Sequence, residues 1–294
     1  MNSAVYDFQK RTWHCNSLAQ VSNLASLQLV FSIICCLLAL SPCYGSLVIS
    51  YYSGKALYLA TDSLVTGVDG LNSYKSEKVF SFGKNQMVAL TGEYGTQISD
   101  KSTGKTVADL NLLSHLKARC ELLCRSTNSL RTKIESILKD LESKSADYAQ
   151  FCAHFGKTNT GIGVFFAAYD EVDKTFLGFY CQMFGTNHPA LTTAFDSRTN
   201  QTFLGVMGED HFLGTLLASP KTLPPLHESK ALSETLTALK QGLPVPEEKL
   251  TASLLEIFRL HKSFAKIITS GEDKGLIGEP FVIYRIMSEG IEKL

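Results

Sequence analysis

The sequence predicts an α+β fold: two sheets facing each other, a helix layer outside each, and an apolar leader in front. Three observations predict it. Strand-like segments come in blocks joined by short turns, and helical segments come in pairs. The blocks alternate in the order strands, helix pair, strands, helix pair, strand. Sheets that bury one face on each other and the second face under helices make a four-layer αββα sandwich. A single parallel sheet fits worse, because hairpins place neighbouring strands antiparallel. Finally, LQLVFSIICCLLAL at residues 27–40 carries no charge and ends just before the first strand. The expected division is a signal-like leader or propeptide over 1–45 and one domain over 46–294.

The elements follow in order. SLVISYYS from Ser46 leads through a Gly54-Lys55 turn into ALYLATDS, a strand hairpin. VFSFGKNQMVALTG, Val79 to Gly92, reads as a second hairpin turning at Gly83-Lys84-Asn85. Val107 to Arg125 repeats apolar residues every three or four positions and reads as a helix. Ser126 to Ser129 breaks it and caps a second helix running to Phe155. Strands resume at GIGVFFAAYD, at TFLGFYCQMF and at TFLGVMG near Val206. A loop marked by Pro220, Pro224 and Pro225 leads to the helix SKALSETLTALKQG. Another helix begins near Pro246, with Glu247 and Glu248 suited to its N-terminal dipole, and PFVIYRIM is the final strand.

Composition excludes several classes. The chain has 294 residues, zero formal net charge and 45% hydrophobic residues, enough for a packed core. Zero net charge offers nucleic acid no electrostatic attraction. Zinc-ligand spacing, a Walker loop and GxGxxG are all missing from the sequence. No motif of these kinds calls for a cofactor or a metal. Cys120, Cys124, Cys152 and Cys181 are too few for a disulfide framework, and Cys120 and Cys124, four apart in a helical stretch, read as core residues. His115, His154, His211 and His261 lack paired ligand spacing. Asn200-Gln201-Thr202 is a weak glycosylation sequon.

The leader sets the compartment. Fourteen uncharged residues are short for a membrane span and suit a signal-peptide core. Lys10 and Arg11 lie upstream, and Cys43 and Gly45 fit a signal-peptidase site before Ser46. The expected location is therefore secreted or exported. An uncleaved anchor through residues 27–40 and a buried apolar helix are the alternatives.

Cleavage between Gly45 and Ser46 would give one residue both a hydroxyl and a free amine. A serine hydroxyl is a weak nucleophile that needs a base. An α-amine, with a pKa of roughly 7.7–8.0, suits that task. A lysine would acidify the hydroxyl, a carboxylate would hold the lysine, and a glycine turn would offer an N–H to the oxyanion. Asp62 lies 16 residues after Ser46, Lys78 lies 16 after Asp62, and Gly92 lies 46 after Ser46.

From Gly45 to Gly92 the chain resembles the start of a mature proteasome β subunit. The shared features are a Gly before the nucleophile, a hairpin, an A-x-D-S turn, a K-V pair and a strand ending in Gly. TGVDGLNSYKSEKVFSF is similar to the bacterial ancestral β subunit, and HslV-type proteases share the pattern. The resemblance implies an N-terminal-nucleophile (Ntn) hydrolase fold. It assigns Ser46 as nucleophile, Lys78 and Asp62 as its support, Gly92 as oxyanion donor and Asp273 as a residue near the amine. It also implies assembly into a homo-oligomeric ring. The chain departs from the pattern in having Ser for Thr at the nucleophile, and Met207 and Leu276 where hydroxyls hold the amine. Leu64 stands where a basic residue is common. These departures keep a catalytically silent scaffold or assembly subunit open as an alternative, and an uncleaved leader would give a membrane-anchored binding domain instead.

Overall fold

The computed structural model describes residues 46–66, 73–92, 97–99, 106–154, 161–184, 191–208, 230–241, 243–268 and 278–294. The described chain is α+β, with two five-stranded antiparallel sheets, two small ribbons and five helices. One sheet contains β1 (Leu47–Tyr52), β2 (Leu57–Thr61), β12 (Phe203–Gly208), β13 (Val282–Ile286) and β14 (Ile291–Lys293), in the order β12-β1-β2-β13-β14. The other contains β5 (Val79–Gly83), β6 (Gln86–Gly92), β9 (Ile162–Asp170), β10 (Thr175–Met183) and β11 (Thr192–Asp196), in the order β11-β10-β9-β6-β5. The ribbons pair β3 (Leu64–Thr66) with β4 (Ser73–Lys75), and β7 (Gln97–Ser99) with β8 (Thr106–Asp109).

Alternation along each central strand builds three apolar clusters. Side chains point to opposite faces with period two, so a strand buried on both faces reads as a continuous apolar run. All six residues of β1 are buried. Val48 and Tyr52 join Leu57 and Leu59 in a cluster that also contains Met87, Ala89 and Phe165 of the other sheet. The rings of Tyr52 and Phe195 lie 4.6 Å apart within it. Leu47, Ile49 and Tyr51 instead pack against α4 (Lys230–Lys240) and α5 (Glu247–Ile268), through Leu232, Leu236, Leu254 and Phe258. On the second sheet, Phe82, Leu90, Val164 and Phe166 pack against α1 (Leu112–Cys124), α2 (Leu130–Glu142) and α3 (Ser145–His154). Each fully buried Leu or Phe side chain contributes about 1.5–3 kcal/mol.

Local signals account for most boundaries. Gly54 turns the β1–β2 hairpin at φ +88°, a conformation that favours glycine. Ser129 caps α2, its Oγ accepting from the Thr132 N–H at 3.3 Å. The structure corrects the expected start of the first helix. Thr106 and Val107 are β-branched and lie in β8 of the β7–β8 ribbon, so the helix begins at Leu112. The helix expected from Leu130 to Phe155 is two helices. Ser143 ends α2 by donating its hydroxyl to the Asp140 carbonyl at 2.6 Å, and α3 starts at Ser145. Cys124 is a further correction: it is exposed at the end of α1, whereas Cys120, Cys152 and Cys181 are buried. Among the described residues no helix is long and apolar enough to cross a membrane. The expected leader, residues 1–45 with its apolar stretch at 27–40, lies outside the described residues.

Candidate functional site

The candidate site forms where strands of both sheets begin or end. Ser46 immediately precedes β1, Asp62 follows β2, Lys78 precedes β5, and Gly92 closes β6. Residues separated by 16 positions in sequence thereby meet. Lys78 Nζ donates to Ser46 Oγ at 2.9 Å and to the two Asp62 oxygens at 2.9 and 3.0 Å. Those three acceptors match the three donors of an ammonium group.

Asp62 is held by backbone as well. The Leu47 N–H donates to Oδ1 at 3.1 Å, and the Gly278 N–H donates to Oδ2 at 3.4 Å. The first bond follows from register. Val48 lies opposite Thr61 in the β1–β2 pair, which brings the start of β1 beside the end of β2. The second comes from the segment leading into β13. Ser63 ties that segment down, because its N–H donates to the Gly278 carbonyl at 3.1 Å. Its own carbonyl accepts from the Ser76 N–H at 2.9 Å, two residues before Lys78.

Burial controls the electrostatics. Ser46 is 2% exposed, Asp62 0% and Lys78 1%. Removal from water is the larger influence on both charged groups: it lifts the Asp62 carboxyl and depresses the Lys78 ammonium. Their mutual attraction opposes both shifts, and the Leu47 and Gly278 N–H groups further favour the carboxylate. An ammonium at 2.9 Å from a hydroxyl oxygen favours its deprotonated form. The trio can therefore acidify Ser46, with the lysine held by the carboxylate.

Glycines admit the close approaches that the site needs. Gly92 has φ +106°, and a Cβ there would lie 2.5 Å from the Gly161 carbonyl oxygen. Gly208 has φ +98° and lies opposite Leu47 in the β1–β12 pair. A Cβ on Gly208 would stand 1.8 Å from the Ser46 carbonyl oxygen and 3.3 Å from Thr91 Cγ2. Ser46 and the end of β6 therefore flank the same glycine. Met207 is buried in the cluster between the sheets, and a Cβ on Gly163 would lie 2.8 Å from its sulfur.

The structure thus brings Ser46, Asp62 and Lys78 into direct contact and places the end of β6, closed by Gly92, beside them. Asp273, Leu276 and Gly45 lie outside the described residues. Leu64 falls in β3. Asn200 is exposed in the turn between β11 and β12, its N–H donating to the Asp196 carbonyl at 3.0 Å. Sequence reasoning missed the Leu47 and Gly278 amides, since a backbone donor has no residue signature. Gly208, which carries no side chain to signal a role, is the glycine against which Ser46 packs. Among the described residues no cluster of three or more His, Cys, Asp or Glu could hold a metal. No protein-family model matches the chain, and no curated protein matches it significantly.

Proposed function

We propose that this chain is the precursor of an N-terminal-nucleophile amide hydrolase of the proteasome-like type, with the four-layer αββα sandwich of that class. The observation that carries the reading is the buried contact of Lys78 with both Ser46 Oγ and Asp62. Removal of the 1–45 leader frees the Ser46 amine. Ser46 Oγ then attacks the carbonyl of a peptide or another amide, and the amine takes up the hydroxyl proton. Lys78 lowers the cost of the alkoxide, Asp62 holds Lys78, and the Gly92 N–H receives the oxyanion. Asp273 is assigned near the amine. The reaction needs no cofactor, the leader directs export, and assembly into a homo-oligomeric ring follows by analogy with the class.

Two measurements test this reading. N-terminal sequencing of the mature protein should return Ser46, and an N-terminal-nucleophile-directed electrophile should label it. A retained leader, or a Ser46 terminus that takes no label, rejects the enzyme. Ser46→Ala separates the routes of cleavage: autolysis stops, whereas signal-peptidase processing persists.

The pH profile of labelling has a definite shape. The free amine must be neutral to act as base, so the rate rises through roughly pH 7.7–8.0. Lys78 must stay charged, so the rate falls again as Lys78 loses its proton. Burial depresses that lysine, which places the falling limb below the ordinary lysine value. A profile that rises through pH 8 and never falls would remove Lys78 from its charged role.

One observation favours the second reading, a silent scaffold or assembly subunit. Met207 stands where the class carries a hydroxyl, and its side chain is committed to the apolar cluster between the sheets. For that reading, the mature protein carries Ser46 at its terminus and assembles, but takes no label.

A further inference from the structure

Beyond the trio, a second set of contacts reaches Lys78 from the C-terminal strand. Tyr284 on β13 is buried in the cluster between the sheets. Its hydroxyl donates to Glu77 Oε1 at 3.0 Å, and Glu77 is the residue immediately before Lys78. The Glu77 carboxylate is the exposed end of this contact, and the Tyr284 ring is the anchored end. Lys293 of β14 lies over that ring, with Nζ 5.9 Å from its centroid. The same C-terminal segment reaches Asp62, through the Gly278 N–H. Both members of the buried pair are therefore tethered to one stretch of chain, Gly278 to Tyr284, while their own strands lie in different sheets.

We infer that Tyr284 is a positioning residue: through Glu77 it fixes the entry into β5 so that Lys78 Nζ spans Ser46 and Asp62. The need for such a tie is physical. Lys78 has four rotatable side-chain bonds, and it must cross from the second sheet to groups at the ends of β1 and β2 in the first. A backbone free to move by an ångström at residue 77 would let Nζ leave Oγ. Misplacement of that size lowers reactivity by up to roughly a hundredfold. Other residues hold the same segment, notably Ser63, whose carbonyl accepts from the Ser76 N–H, so Tyr284 supplies only part of the restraint.

The inference rests on the proposed chemistry for its activity readout, and a second readout is independent of it. The variants are Tyr284→Phe, Glu77→Ala, their combination, and Glu77→Gln, which keeps an acceptor for the tyrosine. In the mature protein, Tyr284→Phe and Glu77→Ala should each slow Ser46 labelling about tenfold. The combination should be no slower than either alone, and Glu77→Gln should restore most of the rate. In full-length protein carrying carbon-13 at the lysine ε positions, the Lys78 signal is assigned by its loss in Lys78→Met. Ser46 and Asp62 are the groups bonded to Nζ, and Asp62 is the charge that acts on it. Loosening the segment rehydrates Nζ, so Tyr284→Phe should move its titration midpoint up toward the ordinary lysine value. An unchanged midpoint overturns the inference, as do additive effects of Tyr284→Phe and Glu77→Ala. If wild type takes no label but the midpoint still moves, the hydrolase reading fails and the positioning role stands.

Discussion

Lys78→Met is expected to lower stability by about 3–5 kcal/mol and to abolish labelling of Ser46. The first effect follows from what the substitution leaves behind. Asp62 is fully buried, and its carboxylate would lose the Lys78 ammonium while keeping the Leu47 and Gly278 amides. Two amide dipoles do not replace an ammonium at 2.9 Å in a medium from which water is excluded. The variant must then hold the buried carboxylate without its ammonium or bind a proton on Asp62. The combined Asp62→Asn/Lys78→Met protein separates stability from chemistry. It contains neither charge, and the asparagine oxygen still accepts from the Leu47 N–H. Replacing both members of a buried pair is commonly close to neutral, so most of the lost stability should return while labelling stays absent. Urea midpoints at constant m-value measure this. If the single variant loses less than about 1 kcal/mol, the pair is not desolvated as its burial indicates. If the double variant is as unstable as the single, the cause is lost packing and not the carboxylate left without its ammonium.

The parts legible in sequence and the parts that were not divide along a physical line. Strands β1, β2, β5, β6, β9, β10, β12 and β13 were legible because each sustains an apolar pattern between turn residues. Strands β3, β4, β7 and β14 have three residues each, too short for alternation to be read. Their pairing depends on tertiary neighbours. The helix break at Ser143 was hidden because the apolar period continues across it, through Leu141 and Tyr148. At the site, the spacing of Ser46, Asp62 and Lys78 was legible, but their burial was not. A lysine in the polar run SYKSEK reads as solvated, and only the packing of two sheets takes Lys78 out of water. Backbone donors were illegible for a different reason. Leu47 and Gly278 act through their amides, so almost any side chain at 47 would serve in that bond.

Gly208→Ala should be the most damaging small substitution outside the trio, with a cost of at least about 3 kcal/mol. Two effects combine. A left-handed backbone costs a non-glycine residue roughly 1–2 kcal/mol. In addition, the new methyl would lie 1.8 Å from the Ser46 carbonyl oxygen, a backbone atom that cannot rotate away. Either β12 must move off β1 or Ser46 must move off Lys78. Gly54→Ala isolates the first effect. Gly54 also has positive φ, +88°, but a Cβ there meets nothing nearer than the Gln201 carbonyl oxygen at 3.6 Å. Its expected cost is therefore the conformational one alone, roughly 1–2 kcal/mol, with labelling of Ser46 intact. The difference between the two urea midpoints measures the clash, and the labelling rate reports where the strain is relieved. Slow labelling in a folded Gly208→Ala protein means that Ser46 yields and its contact with Lys78 is lost. Wild-type labelling means that β12 yields instead. Equal costs at the two glycines would contradict the close packing of β12 against Ser46, and with it the argument that Gly208 is part of how this chain holds Ser46 in place.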